Sequence, residues 1–299
     1  MTKLKYLSAT EIANKWGIST RMVRNYCEQG RIDGANLVGK TWNIPENATK
    51  PKKEANKPFS NNALLNILKE QKDMALKGGI YHKIQIELTY NSNHIEGSTL
   101  THDQTMYIFE TNTIGVEQKA INVDDIVETA NHFKCVDYII DNALKPLTES
   151  MIKNLHFILK NGTSDSRKVW FNVGKYKKLP NEVGGKETCS PNDVKEEMSK
   201  LLLSYNQIKQ KSFEDILDFH KKFECIHPFQ DGNGRIGRLI MFKECLANNI
   251  VPFIIDEQHK LFYYRGLKEW NNEKGYLLDT CLSCQDKLKA WLDYFKIEY

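Results

Sequence analysis

Between residues 219 and 242 the chain gathers side chains suited to work on a phosphate group. Phe219 to Ile226 has helical spacing, but His227 is followed by proline, which disfavours helical geometry at the residue before it, so the helix must break at His227. An imidazole at that break can accept a proton near neutral pH. Asp231 is a hard carboxylate able to hold Mg²⁺ between phosphates. Gly232 and Gly234 flank Asn233 at the start of the next apolar helix, where they permit positive φ and leave several backbone N–H groups free. That makes a concave anion site further favoured by the helix dipole. Arg235 and Arg238, three apart, project from one face of the first turn and suit phosphate oxygens. Taken singly, a histidine is usually structural, Gly-x-Gly usually marks a turn, and an arginine pair is usually solvated or salt-bridged. Nine contiguous residues of suitable type point to a phosphate site with a proton acceptor beside it.

The surrounding elements must hold this loop. Helical apolar spacing recurs at 64–68, 80–94, about 102–111, 124–145, 148–161, 191–209, 213–225, 233–249, 260–273 and 276–297, with Gly78-Gly79 splitting the first two. The main exception is Val169 to Thr188, where Gly174, Pro180 and Gly184-Gly185 predict a hairpin or irregular flap. The body from 61 to 299 is therefore mainly α. Residues 46–60 are polar, hold two prolines and show no apolar period, as a linker does. Residues 1–45 read as helix, tight turn, helix and hairpin. Thr10 is placed to cap a helix over Glu11–Trp16, Gly17-Ile18 to make the turn, Ser19 or Thr20 to cap a second helix stopped by Gly30, and two short strands to flank Gly39-Lys40. That is the plan of a winged helix-turn-helix.

Composition narrows the class. Apolar residues at 40% and charged residues at 27% of 299 fit a soluble globular chain with ample core. No apolar run approaches the length of a bilayer span, and the start lacks the apolar core of a signal peptide, so no membrane partner is expected. Seven scattered cysteines fit reduced thiols in a cytoplasm; Cys281 and Cys284 form the only close pair and lack a second Cys/His pair at metal-ligand spacing. The net charge of +4 is uneven, because residues 1–60 hold eleven Lys/Arg against five Asp/Glu. Any nucleic-acid contact is thus expected at the N-terminus.

The stretch His227-Pro-Phe-Gln-Asp-Gly-Asn-Gly-Arg-Ile-Gly-Arg238 resembles the Fic motif, His-Pro-Phe-x-Asp-Gly-Asn-Gly-Arg-x-x-Arg, at every specified position, and Phe219-His220-x-x-Phe-Glu-x-Ile before it follows the same family. The resemblance implies a protein adenylyltransferase that moves AMP from ATP, with Mg²⁺, to a Ser, Thr or Tyr hydroxyl of a target protein, the chain itself being one candidate target. His227 is then the general base for a hydroxyl that attacks the α-phosphate in line and releases pyrophosphate. Phe229 anchors the loop and Asp231 holds Mg²⁺. Asn233 and the amides from Gly232 to Gly234 hold the α-phosphate, while Arg235 and Arg238 hold the β- and γ-phosphates. In the kinase-like Doc branch position 234 is lysine and the γ-phosphate is transferred; glycine here favours AMP transfer. A further branch, which transfers phosphocholine, is told apart by its flap and donor pocket.

Ser92-Asn-His-Ile-Glu96-Gly97 is similar to the inhibitory motif of the family, Ser/Thr-x-x-x-Glu-Gly/Asn, and also reads as a helix C-terminus with a glycine cap. The resemblance implies that Glu96 pairs with Arg238 and blocks the productive pose of ATP; in some members this glutamate also helps to remove AMP from targets. Tyr264 and Asn271 resemble the pair on which the family seats adenine, two turns apart on one helix. The flap at roughly 174–188 would align a target peptide by strand addition, with Lys177 near where many members carry arginine. The N-terminal segment resembles small DNA-binding domains of the excisionase and MerR-like group. It would set Ser19, Thr20, Arg21 and Arg24 toward a groove and Lys40 toward a phosphate. A single such module has a small footprint, so a homodimer is expected. Two other functions stay open: a DNA-binding transcription regulator whose body senses nucleotide, and an AMP-removing hydrolase.

Overall fold

A computed structural model of the protein describes residues 5–18, 20–28, 31–39, 41–51, 62–115 and 120–299. Ser19, Lys40, the helix stop expected at Gly30 and residues 52–60 of the expected linker lie outside the described residues, as does the Arg21 side chain. The chain divides into two compact units, Met1–Phe59 and Ser60–Tyr299.

In the first unit a strand β1 (Tyr6–Ser8) leads into helices α1 (Ala9–Trp16) and α2 (Thr20–Glu28), followed by strands β2 (Asn36–Val38) and β3 (Thr41–Pro45). The sheet is antiparallel with order β1-β3-β2, Leu7 facing Ile44 and Leu37 facing Trp42. Strand β1 is three residues long, too short to reveal a period of two, and was not expected. The cap of α1 also differs from expectation. Ser8, not Thr10, is the N-cap: its hydroxyl accepts the Glu11 N–H at 3.3 Å while the Glu11 carboxylate accepts the Ser8 N–H at 2.8 Å. That reciprocal box satisfies two donors at once, which a cap at Thr10 could not do with Glu11 next to it. Ile12, Val23 and Ile44 are fully buried at the centre of this unit. Residues 46–50, expected as linker, are bonded into it: the Glu46 N–H donates to Lys5 O at 2.9 Å and Lys50 Nζ to Trp16 O at 2.9 Å.

The second unit is mainly helical: α3 (Ala63–Asp73), α4 (Ile80–Ile95), α5 (His102–Thr111), α6 (Val123–Asp141), α7 (Glu149–Lys160), α8 (Val194–Gln207), α9 (Phe213–Ile226), α10 (Asn233–Ala247), α11 (Lys260–Glu269) and α12 (Gly275–Tyr294). A hairpin of β4 (Glu182–Val183) and β5 (Lys186–Glu187) turns through Gly184 and Gly185, both at positive φ as such a turn requires. Helix α10 is the axis of this unit. Every residue from Asn233 through Leu246 is buried, with α9, α6, α4 and α7 packed around it. Its apolar residues Ile236, Leu239, Ile240 and Phe242 join Phe223, Phe229 and Leu155 in the main core. A helix buried on all sides must pair each charge it carries. Lys243 bonds Glu244 at 2.6 Å and Lys145 O at 2.5 Å, and the Tyr205 hydroxyl donates to Glu244 at 2.9 Å. Among the described residues no helix is long and apolar enough to cross a membrane. Cys281 and Cys284 are buried on α12 in the second core, with Tyr263, Trp270 and Leu277.

Helices α11 and α12 meet so closely that a Cβ on Gly266 would lie 2.7 Å from the Leu277 Cα. Because main chain cannot swing aside as a side chain can, Gly266→Ala should destabilise the protein by about 1–3 kcal/mol, although alanine favours helix elsewhere. Urea unfolding of the variant against the parent checks this.

Candidate functional site

The loop 227–232 joins α9 to α10, and its conformation is held from several directions. His227 closes α9 in the left-handed region, φ 50° and ψ 62°, with its N–H donating to Phe223 O at 2.9 Å. For a non-glycine residue that geometry costs about 1–2 kcal/mol, so the surroundings must impose it. Phe229 is fully buried and stacks on His156 at 4.1 Å with the rings 3° apart. The Phe229 N–H donates to Asn233 Oδ1 at 2.8 Å and Asn233 Nδ2 donates to Phe229 O at 2.9 Å. From the flap side, the Lys177 N–H donates to Pro228 O at 2.9 Å and Asn181 Nδ2 to Phe229 O at 3.0 Å. Lys177 Nζ reaches Asn181 Oδ1, Thr188 Oγ1 and Ile226 O at 2.7, 2.6 and 3.4 Å. Gly232 then opens α10 at φ 82°, so the first amides of α10 lie at the positive end of its dipole.

The two arginines of α10 are held by different acids. Arg238, on the second turn, donates from Nε to Ser92 Oγ at 3.0 Å and from Nη2 to Ser92 O at 2.9 Å and Glu96 Oε1 at 2.6 Å. Ser92 sits on the last turn of α4, Glu96 is its C-cap, and Gly97 at φ 97° turns the chain away. A Cβ on Gly234 would lie 2.2 Å from Glu96 Oε1, so the absence of a side chain at 234 is what admits the carboxylate. Arg235 donates from Nη1 to Glu128 Oε2 and from Nη2 to Asp231 Oδ2 at 3.3 Å. Lys160, nearly fully buried at the end of α7, donates to Glu128 Oε1, to Asp231 Oδ2 at 2.7 Å and to Asp165 Oδ2 at 3.1 Å. Asp231, Lys160, Glu128 and Arg235 thus close an ionic ring beside the loop.

These placements change the roles expected of some residues. The Asn233 side chain is committed to Phe229 in both directions, so anion contact from this residue falls to its main chain. Arg235 is likewise committed to the ring, and neither arginine is presented as a free clamp. Tyr264 and Asn271 do not share a helix. α11 ends at Glu269, where buried Trp270 donates Nε1–H to Asp218 at 3.0 Å and the Asn272 and Glu273 N–H groups turn back to Glu269 O. Tyr264 remains on α11, 42% exposed, while Asn271 lines an open cavity of about 550 Å³ with Leu201, Asp218, Cys225 and Trp270. Of the residues expected at a groove, Thr20 opens α2 and Arg24 is exposed on it.

Electrostatics separate proton acceptors from fixed charges. Burial lowers the His227 pKa to about 4, with the Lys177 ammonium acting in the same sense, so the imidazole is neutral, with its lone pair free, at physiological pH. Burial works against ionisation of Asp231, yet Arg235 and Lys160 hold its carboxyl well below the usual range. A half-exposed, permanently anionic Asp231 fits a magnesium ligand. Among the described residues no cluster of three or more His, Cys, Asp or Glu side chains could hold a metal, so the other positions on such an ion would fall to water and phosphate. Burial drives Glu224 up to about 7, the Glu96 carboxylate adding to the effect, and Lys177 down to about 8. The sequence showed none of the parts played by Glu128, Lys160, Asp165 or His156. The one available signal was Lys160 itself, a lysine next to Leu159 on the buried side of α7.

Comparison with known proteins agrees with this architecture. Residues 146–245 match the Fic/DOC family. Curated relatives named protein adenylyltransferase Fic, from Drosophila grimshawi and Aedes aegypti, are each 30% identical, over 60% and 67% of this chain. The chain spans only 36% and 39% of their lengths. Among solved structures, a Fic domain containing signaling protein from Bacteroides thetaiotaomicron is 26% identical, with a TM-score of 0.63 over 78% of this chain and 96% of that one. A fragment of Fic-1 from C. elegans, 18% identical, shares the fold with a TM-score of 0.60 over 78% of this chain and 72% of that one.

Lys160→Met removes, from a nearly fully buried position, one of the two cations that hold Glu128 and Asp231. Lys160→Met should therefore cost about 3–5 kcal/mol of stability, whereas Lys168→Met, which breaks an exposed pair with Asp165, should cost under about 1 kcal/mol. Urea titration of both variants measures the difference.

Proposed function

We propose that this chain, built around a Fic/DOC domain, is an autoinhibited adenylyltransferase that moves AMP from ATP to a Ser, Thr or Tyr hydroxyl of a target protein. The observation that carries the reading is one loop with a neutral buried imidazole at its start, an anionic Asp231 in its middle and the open amides of α10 at its end. His227 takes the hydroxyl proton as the oxygen attacks the α-phosphate, and pyrophosphate leaves in line. The amides from Gly232 to Gly234 receive the charge developing on the α-phosphate. Asp231 would hold Mg²⁺, which neutralises phosphate charge when bound. Arg235 keeps Asp231 oriented, and Arg238 is the cation left for the distal phosphates. The curated relatives' name supports AMP as the transferred group.

Ser92, Glu96 and Gly97 form the brake in this reading. Glu96 occupies the guanidinium that a γ-phosphate would need, and its 2.6 Å contact with that buried group is a strong competitor. Tyr264 and Asn271 are retained as the candidate adenine contacts, on separate elements. The flap hairpin would receive a target segment along a strand edge. The helix-turn-helix and hairpin of the first unit support DNA contact through Thr20 and Arg24, with Ser19, Arg21 and Lys40 as further candidates on the sequence pattern, and a homodimer would double the contact. A regulator that only senses nucleotide is the alternative.

The test is transfer of label from ATP with Mg²⁺ in cell lysate, with α-labelled and γ-labelled nucleotide in parallel. Protein-bound α-label should be weak in the parent and strong in Glu96→Gly, and should fall about 10²–10⁴-fold when His227→Ala is added. Bound γ-label would indicate phosphoryl transfer instead, and no label in Glu96→Gly would favour the regulator. For the first unit, full-length Arg24→Ala should bind random duplex DNA more weakly and flatten the slope of log K against log salt by about 0.9. An unchanged slope would remove Arg24 from the interface.

A further inference from the structure

A buried carboxylate lies close behind the candidate base. Glu224 lies on the last turn of α9, three residues before His227, and its Oε2 is 3.9 Å from His227 Nδ1. Among the described residues His227 Nδ1 and Glu224 Oε1 both lack a hydrogen-bond partner, and so does His220 Nδ1 one turn earlier. Each such orphan costs about 1–3 kcal/mol if left unpaired, so a small rotation that joins them is favoured. The packing makes room for the carboxylate: a Cβ on Gly237 would lie 2.8 Å from Glu224 Oε1 and 2.6 Å from His220 Nδ1. The other nitrogen of His220 is within 2.6 Å of the Tyr263 hydroxyl. With the tyrosine donating there, a neutral His220 carries its proton on Nδ1, which like Glu224 Oε1 borders the Gly237 Cα. One carboxylate thus stands between two imidazoles, Oε2 toward His227 and Oε1 on the side of His220.

We infer that Glu224 is the positioning residue for His227, accepting its Nδ1–H and thereby leaving Nε2 as the nitrogen that takes the substrate proton. The inference rests on His227 acting as the base of the proposed transfer. Which imidazole nitrogen carries the proton is set by the bond the other makes. An anionic Glu224 accepts Nδ1–H and keeps Nε2 free. A protonated Glu224 donates to Nδ1 instead, so the ring's own proton moves to Nε2 and the base is lost. Burial and the Glu96 carboxylate push Glu224 up to about 7, against Arg238 and Lys221. The titratable and charged groups facing the pair are Glu96 from the end of α4, His220 and Lys221 on α9, Arg238 on α10, Tyr263 and Tyr264 on α11, Lys177 from the flap and Asp231 from the loop. The competing partner for Nδ1 is the main-chain carbonyl of Glu224, which also bears on the ring.

The experiment uses the full chain carrying Glu96→Gly, with Glu224→Gln or Glu224→Ala added. α-Label transfer is followed against pH, and the His227 ring nitrogens are observed by ¹⁵N NMR, assigned by their loss in His227→Ala. Glu224→Ala should lower kcat by about 10–100-fold while KM for ATP changes by less than about twofold. Glutamine still accepts Nδ1–H but does not titrate. Glu224→Gln should therefore retain transfer and move the acid limb down toward the His227 value of about 4. The Nδ1–H form of His227 should dominate above the limb in the parent and in Glu224→Gln, and lose that preference in Glu224→Ala. An unchanged acid limb in Glu224→Gln, or an unchanged tautomer in Glu224→Ala, would overturn the inference and assign the ring to the carbonyl. If Glu96→Gly transfers no label, the transfer reading fails by itself and the NMR arm still decides the pairing; a folded spectrum shows that each variant is intact.

Discussion

The Arg238 guanidinium is buried near the start of a helix whose N-terminal end is already positive, and nothing in that position tolerates an unpaired cation. Ser92 and Glu96 meet the requirement with three acceptors, and the rest of the site follows from it. Helix α4 must end at Ile95 so that Glu96 turns inward, and Gly97 must take φ 97° to carry the chain out again. Position 234 must lack a Cβ because the carboxylate occupies its space. An anion that is to reach Arg238 has to take the place that Glu96 holds on it. In the proposed mechanism this makes the brake and the phosphate site two occupancies of one guanidinium, with no separate regulatory pocket required.

Arg235 answers the same constraint differently. Its acid partner Glu128 is shared with Lys160, and both reach Asp231, so the charges form a closed set deep in the unit. Exposure separates the two arrangements. The Glu128 side chain is 13% exposed and that of Lys160 is 2%, while that of Glu96 is 29% exposed. A carboxylate with access to water can leave its partner and be resolvated; one enclosed between two cations cannot leave without stranding them. Two arginines three residues apart therefore take opposite parts, Arg235 as a fixed brace for Asp231 and Arg238 as the exchangeable contact. The spacing alone suggested a matched clamp.

That contrast shows what was legible in the chain. The loop from His227 to Arg238 could be read because its chemistry is contiguous: a proline sets where α9 breaks and two glycines set where α10 opens. Helix α5 was legible from spacing alone, since its period is uninterrupted from His102 to Thr111. Partners drawn from distant segments could not be read. Glu128 lies 107 residues before Arg235, and nothing around it marks one acid of α6 as different from its neighbours. The end of α11 was misplaced by four residues, because the apolar period continues through Trp270, whose ring turns inward to Asp218 instead of extending the helix. The cap of α1 was misplaced because Ser8 and Thr10 both suit the position, and only the Glu11 reciprocal bond selects Ser8.

Lys177 shows how one substitution relative to the family pattern is accommodated. It stands near where the resemblance expects arginine, and its ammonium meets three acceptors, Asn181 Oδ1, Thr188 Oγ1 and Ile226 O. All three are neutral oxygens drawn from different directions, an arrangement that suits three rotatable donors on a point charge better than the flat fork of a guanidinium. Neutral dipoles do not fully replace the water lost on burial, so the ammonium binds its proton less tightly than a surface lysine, near 8. The same side chain ties the flap base to the end of α9 and adds to the field that keeps His227 uncharged. Flap geometry and base strength are thus coupled through a single residue, and a target segment that shifts the flap would act on the base as well as on its own alignment.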